Sequence, residues 1–460
     1  MHALDHRPLG WAALICATTL ACTPAIKVGD LDTDGSTSEA TMTDGATVAT
    51  ATVTDTESGS GTDTTGPVTL DVAGPGADPT EIRKMDILLV VDNSSTMGPK
   101  QARMVDAVSQ FTAVLDSPGI AVDWRLGITT TDNGNPWCQG TGPEAGALVA
   151  SSCRSRLPDF IFQGPTEIDV TAEACTDICA LEDLSLQPTA IPEDPDPKVR
   201  PWISGSCDAN LDPDTLQDTL ACAIPQGNNG CGFEQPLESM RKAIVRAQTP
   251  NEASYGFLRA DAHLVVIFLT DEADCSTNNE YDSIFLPDGN RAFWDVDWAA
   301  PTSALCWRAG VECSGDPAAL SCQSASYDVF GMLTTDPDMA VMRPVSRYQE
   351  ILDEVQAGKV PGAGVYVVGA LGLPLGGGAP VYVDVSDTDP QQMTDFGIGP
   401  GCTTMDERAV PPVRMLELQA GYPPPSGGNS SICDTSYSDT IEAVTSIVGA
   451  GIIPSDQVCP

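Results

Sequence analysis

The chain has 460 residues, and its 64 Asp and Glu outweigh 22 Lys and Arg, giving a formal charge of −42. So acidic a surface repels phosphate backbones and anionic lipid headgroups, which excludes nucleic acid as an expected partner; it suits divalent cations, or only keeps an exported protein soluble. Of three histidines, His2 and His6 lie in the N-terminal leader, so Ser-His-Asp or Cys-His catalysis would need His263, and a His-rich zinc site is excluded.

Residues 1–21 read as a signal peptide: Arg7 supplies a thin positive region, and Leu9–Ala21 is an apolar run too short to span a bilayer. Ala21 before Cys22 resembles a bacterial lipobox, although Thr19 and Leu20 stand where Leu followed by a small residue is usual. Cys22 is thus the expected lipidation site, with ordinary secretion as the alternative. Residues 22–82 hold this anchor and a Thr/Ser/Gly/Asp-rich linker. Its stretch 28–80 has no aromatic residue, Lys or Arg, so it cannot bury enough apolar surface to offset its ordering entropy. As a flexible coil it would reach on the order of 40 Å and lift a folded domain off a membrane.

Cysteine counting agrees with export. Of 16 cysteines, Cys16 leaves with the leader and Cys22 carries lipid; the remaining fourteen fit up to seven disulfides in an oxidising compartment. Cys175 and Cys179 have a CxxxC spacing but no second pair to complete a zinc site. The spacing leaves the pairing open.

From residue 83 onward buried strands alternate with amphipathic helices. Ile87–Val91 is an uninterrupted apolar run, expected of a parallel strand covered on both faces. Met104, Val108, Phe111 and Leu115 then repeat at helical spacing. Val122, Trp124, Leu126 and Ile128 alternate with polar or small residues, as in a strand nearer the sheet edge. Pro236 opens a helix that turns Leu237, Met240 and Ile244 inward. Leu264–Leu269 is a second buried strand, preceded by His263, whose expected role is structural. Ser346 and Gln349 predict a capping box for a helix with Tyr348, Ile351, Leu352 and Val355 inside and Gly358 at its end. Val365–Leu371 is a third buried strand, and Asp439 with Glu442 predicts the cap of a last helix through Ile441, Val444 and Ile447. This order means an α/β fold: a doubly wound, mostly parallel sheet over 83–460. Two Pro-, Asp- and Cys-rich stretches near 133–221 and 275–343 lack a long period and read as disulfide-rich loop insertions, neither with core enough of its own.

The first buried strand runs into Asp92-Asn93-Ser94-Ser95-Thr96, and the second into Thr270-Asp271-Glu272-Ala273-Asp274. In an open α/β sheet ligands bind beyond the carboxyl ends of the strands, where strand order reverses. If these strands flank that point, Asp92, Ser94, Thr96 and Asp271 converge. All are hard oxygen donors, suited to Mg²⁺ or Mn²⁺, or to Ca²⁺. The bland alternative is an N-cap cluster that holds no metal.

From about 84 to 450 the chain resembles a von Willebrand factor type A domain, and Asp92-x-Ser94-x-Thr96 resembles its metal-ion-dependent adhesion site. The resemblance implies that Ser94 and Thr96 touch the metal directly while Asp92 and Asp271 hold metal-bound waters. The ion would then accept a carboxylate from a protein ligand. Thr96 replaces the usual Ser and keeps the hydroxyl. The family's additional metal-binding Thr is missing, because the loop Gly227–Pro236 has none. Glu234 is the nearest oxygen donor there: it either replaces that Thr, binding the ion more tightly and blunting its pull on a partner, or only favours the positive end of its helix. Cys231–Leu237, Asp271–Cys275 and Ser431–Asp434 are also similar to Cys-rich, exported or lipid-anchored type A proteins of bacterial surfaces.

The expected function is that of an exported, lipid-anchored surface protein of the outer membrane or cell exterior, or else a secreted one. It would bind a divalent cation, and through it a protein partner, touching a membrane only by its lipid. A structural protein with a permanent or degenerate ion site is the alternative. A metal-dependent hydrolase is the weakest reading, since Glu234, Glu272 or Asp274 would have to act as general base.

Overall fold

Runs of apolar residues without a polar break need cover on both faces, and the sheet supplies it. The computed structural model describes residues 83–115, 122–164, 166–205 and 209–450; the leader, Cys22 and the linker lie outside these, as do Cys207, Cys459 and the side chain of Leu115. Six strands form the central sheet: β1 (Arg83–Val91), β2 (Val122–Thr130), β3 (Ile203–Ser204), β4 (His263–Leu269), β5 (Val365–Leu371) and β6 (Ser430–Ser431). Their order is β6-β5-β4-β1-β2-β3, parallel throughout except for β3, which runs antiparallel to β2.

The helices are α1 (Gly98–Leu115), α2 (Leu216–Ala223), α3 (Pro236–Gln248), α4 (Ala304–Gly310), α5 (Val345–Ala357), α6 (Pro390–Phe396), α7 (Val413–Gln419) and α8 (Ser438–Ala450). Alternate residues of β1 sort the layers. Ile87, Leu89 and Val91 pack with Met104, Val108 and Phe111 of α1 and Val444 and Ile447 of α8. Leu88 and Val90 pack with Leu237, Met240 and Ile244 of α3 and with Tyr348 and Leu352 of α5. The chain is therefore mixed α/β, with a mostly parallel sheet covered on both faces.

Two expectations need correcting, and a third needs sharpening. β2 lies next to the edge strand β3, as its alternation predicts, and is nonetheless buried along its whole length, because its polar residues have buried partners: the Arg125 guanidinium donates to Gly256 O (2.6 Å), and Asp123 pairs with Arg259 (2.7 Å). α5 begins at Val345, one residue before Ser346; its N-cap is Pro344 with no side-chain cap, so no capping box forms. Asp439 sits inside the first turn of α8, where it favours the positive helix end instead of capping it.

Six disulfides occur among the described residues: Cys138–Cys231, Cys153–Cys175, Cys179–Cys222, Cys275–Cys306, Cys313–Cys322 and Cys402–Cys433. Cys175 and Cys179 each belong to a disulfide, which disposes of a zinc cluster there. Within 275–343, Ile284, Phe285, Phe293, Trp294 and Trp298 gather a satellite apolar cluster that also takes in Phe233. No helix among the described residues is long and apolar enough to cross a membrane.

Candidate functional site

The chain leaves β1 toward β2 on one side, while β4 lies on the other, so strand order reverses between β1 and β4. Val91 is in register with Leu269, and the Asp92 amide donates to Leu269 O (2.9 Å), which sets Asp92 beside Thr270. Asp92 is fully buried. Its Oδ1 accepts from the Ser94 amide (2.8 Å) and its Oδ2 from the Thr270 hydroxyl (2.6 Å). The Thr96 hydroxyl donates to Asp271 Oδ2 (2.7 Å). Strand register thus brings Asp92, Ser94, Thr96 and Asp271 together, as the sequence predicts.

The turn carrying Ser94 and Thr96 is held from below by Gln101 of α1. Its Nε2 donates to Asp92 O (2.8 Å) and Gly227 O (2.7 Å), while its Oε1 accepts from the amides of Gln226 and Gly227. One buried amide so fixes the turn and the loop ahead of α3 to each other. Farther along this loop the Gly230 amide donates to Asn93 O (2.8 Å), and a Cβ at Gly230 would lie 2.3 Å from Asn93 Oδ1. A side chain at 230 would have to displace that of Asn93.

The loop delivers Glu234. It is buried, and its Oε2 accepts from the Thr131 hydroxyl at the end of β2. The first-turn amides of α3 are taken by others: Leu237 N donates to Asp274 Oδ1 (3.2 Å) and Glu238 N to Ser276 Oγ (3.0 Å). Glu234 faces the carboxylate cluster and leaves the capping of α3 to Asp274 and Ser276. Asp274 also pairs with Arg414 (2.8 Å), both buried, which commits it to structure.

Two residues that the motif did not single out complete the group. Lys100, 1% exposed, donates from Nζ to Asp271 Oδ2 (2.5 Å) and to Thr96 O (3.1 Å). Glu272 joins the carboxylates electrostatically. Burial, and next the Asp271 charge, push the Asp92 carboxyl up to about 7, against hydrogen bonds from Thr270 and Ser94. Burial and then Asp92 hold Glu234 well above the ordinary range. Burial, Asp271 and Asp92 do the same to Glu272, while Lys100 pulls it down.

Four oxygens of this cluster are buried without a hydrogen-bond partner: Ser94 Oγ, Glu234 Oε1, Asp271 Oδ1 and Glu272 Oε2. Native proteins seldom leave such atoms unmet. The donors are all hard oxygens, and the Thr96 hydroxyl, in giving its proton to Asp271, keeps its lone pairs free. This set fits a divalent cation with retained waters.

A cleft of about 540 Å³ opens over Thr96, Lys100, Asp271 and Glu272, with Phe396 and Met405 among its walls. Its rim is the hairpin of Cys402–Thr403 and Arg408–Ala409. Cys402–Cys433 anchors that hairpin, and Arg103 of α1 clamps its Glu407 through two hydrogen bonds (2.9 and 3.0 Å). Met405 at the tip is 98% exposed. His263 lies at the other end of β4, buried, its Nδ1 accepting from the Gly364 amide (3.0 Å).

No family model matches the chain, and no curated protein matches it. Among solved structures it is similar to the pilus adhesin SpaC of Lactobacillus rhamnosus GG in its open conformation, at 11% identity and a TM-score of 0.24, over 63% of this chain and 24% of that one. It is also similar to the pilus adhesin RrgA of Streptococcus pneumoniae, at 12% identity and a TM-score of 0.18, over 48% of this chain and 23% of that one. The chain thus spans about a quarter of each structure's length, and likenesses at these scores decide nothing about its chemistry.

Proposed function

We propose that the cluster at the carboxyl ends of β1 and β4 binds a divalent cation, Mg²⁺ or Mn²⁺ or else Ca²⁺, in an exported type A-like surface domain. The observation that carries this is the set of four buried, unpartnered oxygens on Ser94, Glu234, Asp271 and Glu272. Ser94 and Thr96 would hold the ion with Asp92, Asp271 and Glu234; the bound ion supplies a Lewis-acidic, carboxylate-accepting centre. The protein's own residues do the rest. Gln101 fixes the turn, Thr270 orients Asp92, and Thr131 orients Glu234.

The cleft above the site is the approach for a protein ligand. Ion binding comes first and adhesion second, because Glu234 and Glu272 add negative charge that would neutralise the ion and weaken its pull on a partner's carboxylate. The same observation favours a second reading, a permanent structural ion. Hydrolysis is the poorest fit, since His263 is remote from the site and Asp274 is locked to Arg414. The six disulfides support an oxidising, extracytoplasmic location, and lipidation at Cys22 remains our proposal for its anchor.

The test is calorimetric titration of the EDTA-stripped mature protein with Mg²⁺, Mn²⁺ and Ca²⁺, paired with thermal melts. Uptake of one ion per chain with a raised Tm supports the reading; no heat and no shift with any ion sinks it. Affinity capture in Mg²⁺ and in EDTA then separates the two forms: partners held only in Mg²⁺ mean adhesion, and none despite ion uptake means a structural ion.

A further inference from the structure

Lys100 is an ammonium buried where a cation is expected to bind. It enters on the inner stripe of α1, three residues after Met97 and four before Met104, both fully buried. An ammonium taken out of water needs a partner and acceptors for its protons. Lys100 has Asp271 Oδ2 and Thr96 O. Asp271 is used asymmetrically: Oδ2 receives both Lys100 and the Thr96 hydroxyl, while Oδ1 receives nothing. The lysine therefore neutralises one side of the carboxylate and leaves the other turned to the cluster.

We propose that Lys100 is a resident counter-ion of Asp271, with two opposed effects. Without a divalent ion it keeps Asp271 from standing as an uncompensated buried charge and holds Thr96 and Asp271 in place. With one, its positive charge at the back of Asp271 opposes the incoming cation, so affinity falls below what the carboxylates alone would give. The first effect stands on the ion pair itself; the second rests on the cation reading above.

The two effects make an unusual demand on one substitution. Lys100→Met should lower the Tm in EDTA and yet tighten Mn²⁺ binding about tenfold, since a repelling charge near a divalent ion is removed. A lysine with only a packing role would weaken both. Adding Asp271→Asn to Lys100→Met should restore the EDTA melt toward wild type, because no unpaired charge is left. If Lys100→Met does not fold, Lys100→Gln, which keeps a donor without the charge, serves for both measurements. An unchanged EDTA melt overturns the counter-ion role. Mn²⁺ bound by the variant no tighter than by wild type overturns the opposing role. A wild-type protein that takes up no Mn²⁺ refutes the cation reading instead, and the EDTA melts and their rescue then decide the ion pair alone.

Discussion

The two ends of one sheet treat buried carboxylates in opposite ways. At the amino end, Asp86 of β1 and Asp123 of β2 are buried around Arg259. Its Nε and backbone amide each take one oxygen of Asp86 (2.8 and 2.7 Å), a third donor takes Asp123 (2.7 Å), and its last nitrogen reaches the carbonyls of Met85 and Asp123. At the carboxyl end, Asp92, Glu234, Asp271 and Glu272 crowd together, Lys100 takes one oxygen of Asp271, and four buried oxygens go unmet. The amino end sets two carboxylates against one guanidinium, whereas the carboxyl end sets four carboxyls against one ammonium. That difference in charge balance is what a structural ion-pair cluster and a proposed cation site would show.

Breaking the amino end should cost most. Arg259→Met strands two buried carboxylates and should lower unfolding free energy by about 3–5 kcal/mol, measured by denaturant melts. The loss should be equal in EDTA and in Mg²⁺; an ion-dependent loss would dissolve the contrast. At the carboxyl end, ion at about a thousandfold above its Kd should add about 4 kcal/mol to the wild type. Asp92→Asn should abolish that gain without destabilising the EDTA form.

The sign of the pH dependence sharpens the comparison. Asp92 titrates at about 7 in the fold, well above the roughly 3.9 of an unfolded aspartate. The folded form thus holds a proton that the unfolded chain has already released. Its contribution is complete below about pH 4 and lost as pH climbs to 7. Melts in EDTA should therefore fall by at least roughly 2 kcal/mol between pH 5 and pH 8, a slope that Asp92→Asn makes shallower while Glu234 and Glu272, raised in the same direction, keep the rest. A slope unchanged by this substitution would assign all of it to the other groups. The smallest effect belongs to the cleft rim. Met405→Ser should change stability by less than about 0.5 kcal/mol, while partner capture should drop if ligands dock there.

Much of the carboxyl end was legible because buried strands are written in apolar runs. Ile87–Val91 and Leu264–Leu269 admit no polar break, so both belong inside the sheet; that they are neighbours, with Asp92 and Asp271 at one end, rests on their parallel pairing. Glu234 could be placed near the site by its loop but not oriented; that depended on Asp274 and Ser276 having taken the α3 amides. Lys100 is invisible to a helical period that counts apolar residues alone. A lysine and a glutamine at three and four residues from Met97 fall within the buried stripe, and that was the available signal. The full burial of β2 was hidden for a related reason: polar alternation looks like exposure until Arg259 and Gly256 are known to be its partners.

The disulfides give this site an unusual history. Cys138–Cys231 secures the loop that delivers Glu234, Cys275–Cys306 secures the segment beyond Asp271, and Cys402–Cys433 secures the cleft rim. The donors are thus positioned by bonds made once, during oxidative maturation, and not reassembled on each encounter. A site preformed in this way spends little of its binding free energy on ordering loops. An ion bound there as proposed could depart and return to the same mould, and a reductant should erase the mould even where an ion is plentiful.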